Sequence, residues 1–180
     1  MNLPNSLTIL RILLIPVYVG FMTYGRFGAA LVTLLGAGLT DALDGLIARR
    51  MNQRTALGEI LDPLADKLLL TSAFLTLAFL HLVPSWVVIL VVSRDVILLL
   101  GTAVAHVTDT PIVITPTWLG KGTTFFQLTY VGLVMGLAWH GVSGQVLWPI
   151  LMLMVVFTLA SGFHYLYRGY CRVHEAPPAS

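Results

Sequence analysis

Six long apolar runs dominate the sequence and leave few ways for the chain to fold. Each is long enough to cross a bilayer as an α-helix, which takes roughly 17 to 25 residues. Only 10% of the residues are charged and 57% are hydrophobic, whereas a soluble domain carries about 25% charged residues. The sequence therefore predicts an all-α integral membrane protein with six transmembrane helices, forming one domain over residues 1–180. The predicted spans are 7–24, 28–49, 58–82, 84–106, 117–139 and 146–167.

The positive charges predict the orientation of these spans. An even number of spans places both termini on one side of the membrane, and Lys and Arg concentrate on the cytoplasmic side. On one side the sequence places Arg49, Arg50, Arg54, Lys121, Arg168 and Arg172, and on the other only Arg26. Both termini are therefore expected in the cytoplasm. A net charge of +2, scattered along the chain, gives no indication of nucleic-acid binding.

The two ends of the chain are expected to differ from the spans. Residues 1–6 contain Pro4 and Asn5 and predict a short interfacial segment at the membrane surface. The polar, proline-containing tail, about residues 174–180, is expected to be disordered.

Between the second and third spans, residues 41–67 hold five of the eight acidic residues, four of them aspartates. Asp41 and Asp44 are three apart, and Asp62 and Asp66 are four apart, so on helices each pair shares one face. If the pairs converge, four carboxylates in a poorly hydrated space need a positive charge between them. Divalent cations with oxygen ligands meet that need. The segment predicts a metal site that opens to the cytoplasm.

Small residues and an arginine surround this acidic segment. Gly45, Ala48 and Gly58 allow close approach of helices and leave room for a ligand. Arg49, at the expected mouth of the site, is a residue type suited to bidentate phosphate binding. Metal-ligating acids beside a phosphate-binding arginine favour metal-assisted phosphoryl chemistry.

The same residues form the pattern D-x-x-D-G-x-x-A-R-x(8)-G-x-x-x-D-x-x-x-D, which resembles the CDP-alcohol phosphotransferases. Every fixed position is present: Asp41, Asp44, Gly45, Ala48, Arg49, Gly58, Asp62 and Asp66. The opening P-N-x-x-T-x-x-R at Pro4, Asn5, Thr8 and Arg11 adds to the likeness. The resemblance implies two Mg²⁺ or Mn²⁺ ions, a homodimer, and transfer of a phosphatidyl group from CDP-diacylglycerol to an alcohol with release of CMP.

Individual roles follow from the resemblance. Asp41, Asp44 and Asp62 would ligate metal, and Asp66 would be both a ligand and the general base that takes the acceptor's proton. The CDP-linked lipid would be bound by Asp44, Gly45, Ala48, Arg49 and Gly58.

Two acceptors remain open within the family. The sequence resembles phosphatidylglycerophosphate synthases, which use glycerol 3-phosphate, and CMP-forming cardiolipin synthases, which use phosphatidylglycerol. Glycerol 3-phosphate carries a phosphate monoester that needs cationic donors, and it is narrowly favoured. Against it, Thr102 stands where the glycerophosphate enzymes commonly have arginine, and Asp95 where they have glutamate. The candidate acceptor-binding residues are Asn5, Thr8, Arg11, Arg94 and Lys121.

Two other interpretations stay open. Arg94 and Asp95 could be a structural ion pair inside the membrane rather than part of a substrate site. The four aspartates could also line a divalent-cation transport path, although the sequence shows none of the broken helices or inverted repeats typical of transporters. Release of CMP from CDP-diacylglycerol separates an enzyme from a transporter.

Overall fold

The structure, a computed structural model, is helical throughout the residues it describes. It describes the backbone of residues 3–51, 56–107 and 118–175, and the side chains of residues 8–40, 64–101 and 118–167. Within these residues there are six α-helices, one short 3-10 helix (Gly144–Leu147) and no strand. The α-helices are α1 (Leu3–Thr23), α2 (Phe27–Met51), α3 (Ala56–Phe79), α4 (Ser85–Val107), α5 (Trp118–Trp139) and α6 (Trp148–Glu175).

These helices confirm the six helical segments predicted from the apolar runs, with two corrections at the chain ends. Helix α1 begins at Leu3, so residues 3–6 belong to it and do not form a separate segment. Proline is tolerated in the first turn of a helix, which explains why Pro4 does not delay its start. Helix α6 continues to Glu175 and so takes in the first residues of the predicted tail. The rest of the predicted tail, residues 176–180, lies outside the described residues.

One helical segment in the described part of the chain, Gly144–Tyr167, is long and apolar enough to cross a membrane, with a mean hydropathy of 2.2. Two shorter apolar helical segments, Thr8–Thr23 and Phe27–Thr40, lie in α1 and α2. Hydroxyl groups in the apolar helices bond to the backbone of their own helix; the Thr33 hydroxyl, for example, donates to the Ala29 carbonyl at 2.9 Å. Such bonds let a polar side chain sit in an apolar helix without an external partner.

The chain forms two compact units. The first comprises Met1–Ser85 and Val131–Gln145. In it, α1 packs against both α2 and α3, around a core that includes Tyr18, Met22 and Phe74. The Tyr18 hydroxyl, fully buried, lies 3.8 Å from the sulfur of Met135.

The second unit comprises Trp86–Tyr130 and Val146–Ser180. Helices α5 and α6 meet there through the rings of Phe126 and Phe157, whose centroids are 4.6 Å apart. The buried Thr123 hydroxyl lies 2.8 Å from the Leu119 carbonyl of its own helix and 3.0 Å from the Phe157 carbonyl of α6.

Helices α1, α3 and α5 end in the same backbone motif. In each, one residue after the helix has a positive φ: 69° at Gly25, 57° at His81 and 68° at Gly141. After α1, the Gly25 amide donates to Met22 and the next amide donates to Phe21, and the same two bonds recur after α3 and α5. This is the Schellman arrangement, which satisfies the last carbonyls of a helix within the turn itself.

Candidate active site

One ion pair joins two of the predicted site residues. Arg11 on α1 donates from Nη1 to Oδ1 of Asp66 on α3, at 2.8 Å. The Arg11 side chain has no exposed surface, whereas the Asp66 side chain is 48% exposed. Sequence reasoning placed both residues in the site but did not predict this contact, since 55 positions separate them. The available signal was that Arg11 is the only charged residue in α1.

The remaining acidic-motif residues lie on the expected helices. Helix α2 contains Asp41, Asp44, Gly45, Ala48 and Arg49, and helix α3 contains Gly58 and Asp62. The prediction that each aspartate pair shares one helix is therefore confirmed. The side chains of these seven residues lie outside the described ones, so their convergence on a shared point stays a prediction.

A metal site also stays a prediction. Among the described side chains, no group of three His, Cys, Asp or Glu residues is placed to hold a metal ion. Of the four expected ligands only Asp66 is described, and its half-exposed carboxylate is the kind of hard oxygen donor that Mg²⁺ and Mn²⁺ bind.

The candidate acceptor-binding residues are spread over both units. In the first unit, Thr8 is fully buried one turn before Arg11, and Asn5 lies on α1 with its side chain outside the described residues. In the second unit, Lys121 is exposed on α5, with Nζ 5.7 Å from the centre of the Trp118 ring. Arg94 lies on α4 and is buried.

Arg94 is held in a polar network of the second unit. Its Nη1 donates to Oδ1 of Asp95 at 2.7 Å, and its Nη2 donates to the hydroxyl of Ser161 on α6 at 2.8 Å. All three residues are buried. This geometry supports the structural interpretation of the Arg94–Asp95 pair, because two of the guanidinium nitrogens have acceptors within the protein.

A cavity of about 210 Å³ lies beside this network, between α4 and α6. A Cβ atom added at Gly162 would lie 3.8 Å from Cγ of Arg94, an ordinary van der Waals distance, so the helix α6 backbone lies close to the arginine stem. Aliphatic and aromatic side chains form most of the wall. The lining residues are Leu90, Ser93, Arg94, Ile97, Thr158, Leu159, Gly162, Phe163 and Leu166.

Comparison with known proteins assigns the chain to an enzyme family. The family model described as CDP-alcohol phosphatidyltransferase matches residues 1–160. The chain is 35% identical to the probable CMP-forming cardiolipin synthase of Drosophila melanogaster, over 92% of this chain and 57% of that protein. It is 33% identical to the CDP-diacylglycerol–glycerol-3-phosphate 3-phosphatidyltransferase of Bacillus subtilis, over 94% of this chain and 95% of that protein. With the human CMP-forming cardiolipin synthase it shares 33% identity, over 93% of this chain and 62% of that protein.

These matches define a class of protein, the phosphatidyltransferases of phospholipid synthesis. The chain belongs to the CDP-alcohol phosphatidyltransferase family. It spans 57% and 62% of the fly and human relatives but nearly the whole length of the bacterial one. Since the names of these relatives refer to two different reactions, the acceptor stays open.

Proposed function

We propose that the chain transfers a phosphatidyl group from CDP-diacylglycerol to a glycerol-type alcohol and releases CMP. The observation that carries this proposal is the complete acidic pattern from Asp41 to Asp66 within the region that matches the family. We narrowly favour glycerol 3-phosphate as the acceptor. The Bacillus subtilis relative whose name includes this substrate is matched over 95% of its length.

In the proposed reaction, the acceptor hydroxyl oxygen forms a new bond to the phosphatidyl phosphorus, and the bond from that phosphorus to the CMP oxygen breaks. Asp66 takes the proton of the hydroxyl, for which its half-exposed carboxylate is accessible. Asp41, Asp44, Asp62 and Asp66 would hold two Mg²⁺ or Mn²⁺ ions. When bound, these ions would neutralise charge on the diphosphate and the leaving CMP.

The substrate-binding roles follow the family pattern. Gly45, Ala48 and Gly58 leave space for the cytidine nucleotide, and Arg49 and Asp44 contact the CDP-linked lipid. Among the predicted acceptor contacts, Lys121 is exposed whereas Thr8 and Arg94 are buried, so Lys121 is the contact proposed here.

The proposed location is a membrane, with both termini and the active site in the cytoplasm, and the proposed assembly is a homodimer. Large apolar side chains on the helix surfaces support the membrane location. Val32, Leu35 and Leu39 on α2 are all more than 60% exposed, and soluble monomers rarely expose extended apolar patches.

One observation favours CMP-forming cardiolipin synthesis as the alternative. Asp95 lies 2.7 Å from Arg94 and offsets its positive charge. A partly neutralised arginine is less suited to a free phosphate monoester than to phosphatidylglycerol, whose phosphate is a diester with one negative charge. Family membership lends no support to the more distant alternative, a divalent-cation transporter.

A competition experiment names the acceptor. Purified protein receives CDP-diacylglycerol and Mg²⁺ together with glycerol 3-phosphate, phosphatidylglycerol, serine and inositol, and mass spectrometry identifies the lipid product. Phosphatidylglycerophosphate is expected. Cardiolipin as the sole product would overturn the choice of acceptor, and metal-independent or absent CMP release would overturn the proposed reaction.

Asp66→Asn tests the general base. The amide cannot accept the proton, so turnover should fall by at least about 100-fold, the lower range for general base catalysis, while binding of CDP-diacylglycerol is largely retained. Glu175→Gln removes a carboxylate outside the family match and serves as the control. Wild-type turnover by Asp66→Asn would exclude Asp66 as the base.

A further inference from the structure

Arg11 carries a charge in a place that water does not reach. Its side chain is fully buried in α1, and Thr8, one turn earlier, is fully buried as well. Taking a guanidinium out of water is costly unless an anion and hydrogen bonds compensate it. Asp66 supplies an anion, through a charge-assisted hydrogen bond of 2.8 Å.

The two partners of this bond differ in accessibility. Asp66 is half-exposed, while its neighbours Ala65 and Leu69 on α3 belong to the core. The carboxylate is therefore anchored from the protein interior and remains reachable from outside. Arg11 itself offers no surface that an acceptor could contact without a rearrangement of α1 and α3.

From this asymmetry we propose that Arg11 is a positioning residue for Asp66. The inference rests on the proposed function, in which Asp66 is the general base. The bond from Nη1 to Oδ1 limits rotation of the Asp66 side chain and fixes the direction in which its carboxylate meets the acceptor hydroxyl. Proton transfer depends on such alignment, and a displacement of about 1 Å can cost about 100-fold in rate.

This role differs measurably from acceptor binding. A positioning residue acts on the chemical step, so its removal lowers kcat and leaves the KM for the acceptor nearly unchanged. A residue that binds the acceptor in the ground state raises that KM. Arg11→Gln should lower kcat by about 100-fold with the acceptor KM within about twofold of wild type.

Arg11→Lys and Arg26→Gln complete the kinetic test. The lysine keeps a buried cation that can donate one hydrogen bond but lacks the planar guanidinium, so we expect it to recover about one tenth of the wild-type kcat. If Arg11→Gln does not fold, the kinetic parameters of Arg11→Lys still test the proposal. Arg26 is an exposed arginine just beyond the other end of α1, and Arg26→Gln should match wild type. Wild-type kcat in Arg11→Lys and Arg11→Gln, or a raised acceptor KM with normal kcat, would overturn the proposal.

A thermal-unfolding cycle provides a readout independent of catalysis. Tm is measured for wild type, Arg11→Gln, Asp66→Asn and the double variant. Because the two side chains bond to each other, the double variant should lose less Tm than the two single losses added together. Fully additive losses would show that the contact contributes nothing and would overturn the proposal.

The two proposals fail in different ways. If wild-type protein releases no CMP from CDP-diacylglycerol with any acceptor, the proposed function fails and the catalytic role of Arg11 fails with it. If wild type is active and Arg11→Gln is equally active, only the positioning role fails.

Discussion

Removing the hydroxyl of Ser161 should destabilise the protein through a single buried bond. In the structure, Ser161 accepts a hydrogen bond of 2.8 Å from Nη2 of Arg94 and is itself fully buried. In Ser161→Ala, Nη2 loses this acceptor, and the neighbouring cavity is lined mainly by apolar side chains that do not replace it. Another nitrogen of the same guanidinium, Nε, is buried without a hydrogen-bond partner in the described part of the chain, so the substitution leaves a second donor unsatisfied.

The expected loss can be estimated from the charge on the donor. A hydrogen bond to a charged group contributes about 1.5 to 3 kcal/mol, and about 2 to 4 °C of Tm corresponds to each kcal/mol in a chain of this size. Ser161→Ala should therefore lower Tm by about 3 to 12 °C, measured by thermal unfolding of detergent-purified protein.

Ser72→Ala is the matched control. The Ser72 hydroxyl donates to the Leu69 carbonyl of its own helix at 2.8 Å, a local bond that stabilises a helix little. Its Tm should stay within about 2 °C of wild type, as for a change of less than about 0.5 kcal/mol. Equal Tm values for the two variants would refute the reasoning that the Arg94 network holds α4 and α6 together.

Three further outcomes are expected. His81→Gly should raise the free energy of unfolding by about 0.5 to 1 kcal/mol, because a left-handed backbone costs a non-glycine residue about 1 to 2 kcal/mol and the entropy of glycine offsets part of the gain. Gly25→Ala should lower the free energy of unfolding by about 1 kcal/mol for the same reason. Both are measured by chemical denaturation, and changes of the opposite sign would contradict the φ angles at these positions. Gln127→Met should change the free energy of unfolding by less than about 1 kcal/mol, because Oε1 of this buried side chain has no partner among the described residues and the bond from Nε2 to the Thr158 hydroxyl is long, at 3.5 Å. A clearly larger loss in the same assay would contradict this expectation. Chelation with EDTA should abolish CMP release and added Mg²⁺ or Mn²⁺ should restore it, while persistent release without metal would exclude the proposed metal chemistry.

Much of the helical framework could be predicted from the sequence, because apolar run length and turn residues act locally. Gly25 and Gly141 lie directly after apolar runs, where a helix commonly ends in a left-handed residue. His81 gave no comparable signal, since histidine adopts a positive φ only occasionally. The sequence predicts a tail from about residue 174, because His174 and Glu175 are polar, but helix α6 includes both residues.

The candidate site was predictable in its composition but not in its contacts. Spacing alone put each aspartate pair on one helix, as the bounds of α2 and α3 confirm. The pairing of Arg11 with Asp66 depends on how α1 packs on α3. The bond from Arg94 to Ser161 joins two residues that are 67 positions apart in the sequence. No local pattern encodes such distances.

The three left-handed helix ends have a consequence for how freely the chain can vary. The turn after each of these helices is held by hydrogen bonds between main-chain amides and carbonyls, so it does not depend on a particular side chain. Each turn does require one residue that tolerates a positive φ, at position 25, 81 or 141. The other residues of these short connections should therefore vary freely, whereas positions 25, 81 and 141 should favour glycine or asparagine over residues that rarely adopt a positive φ.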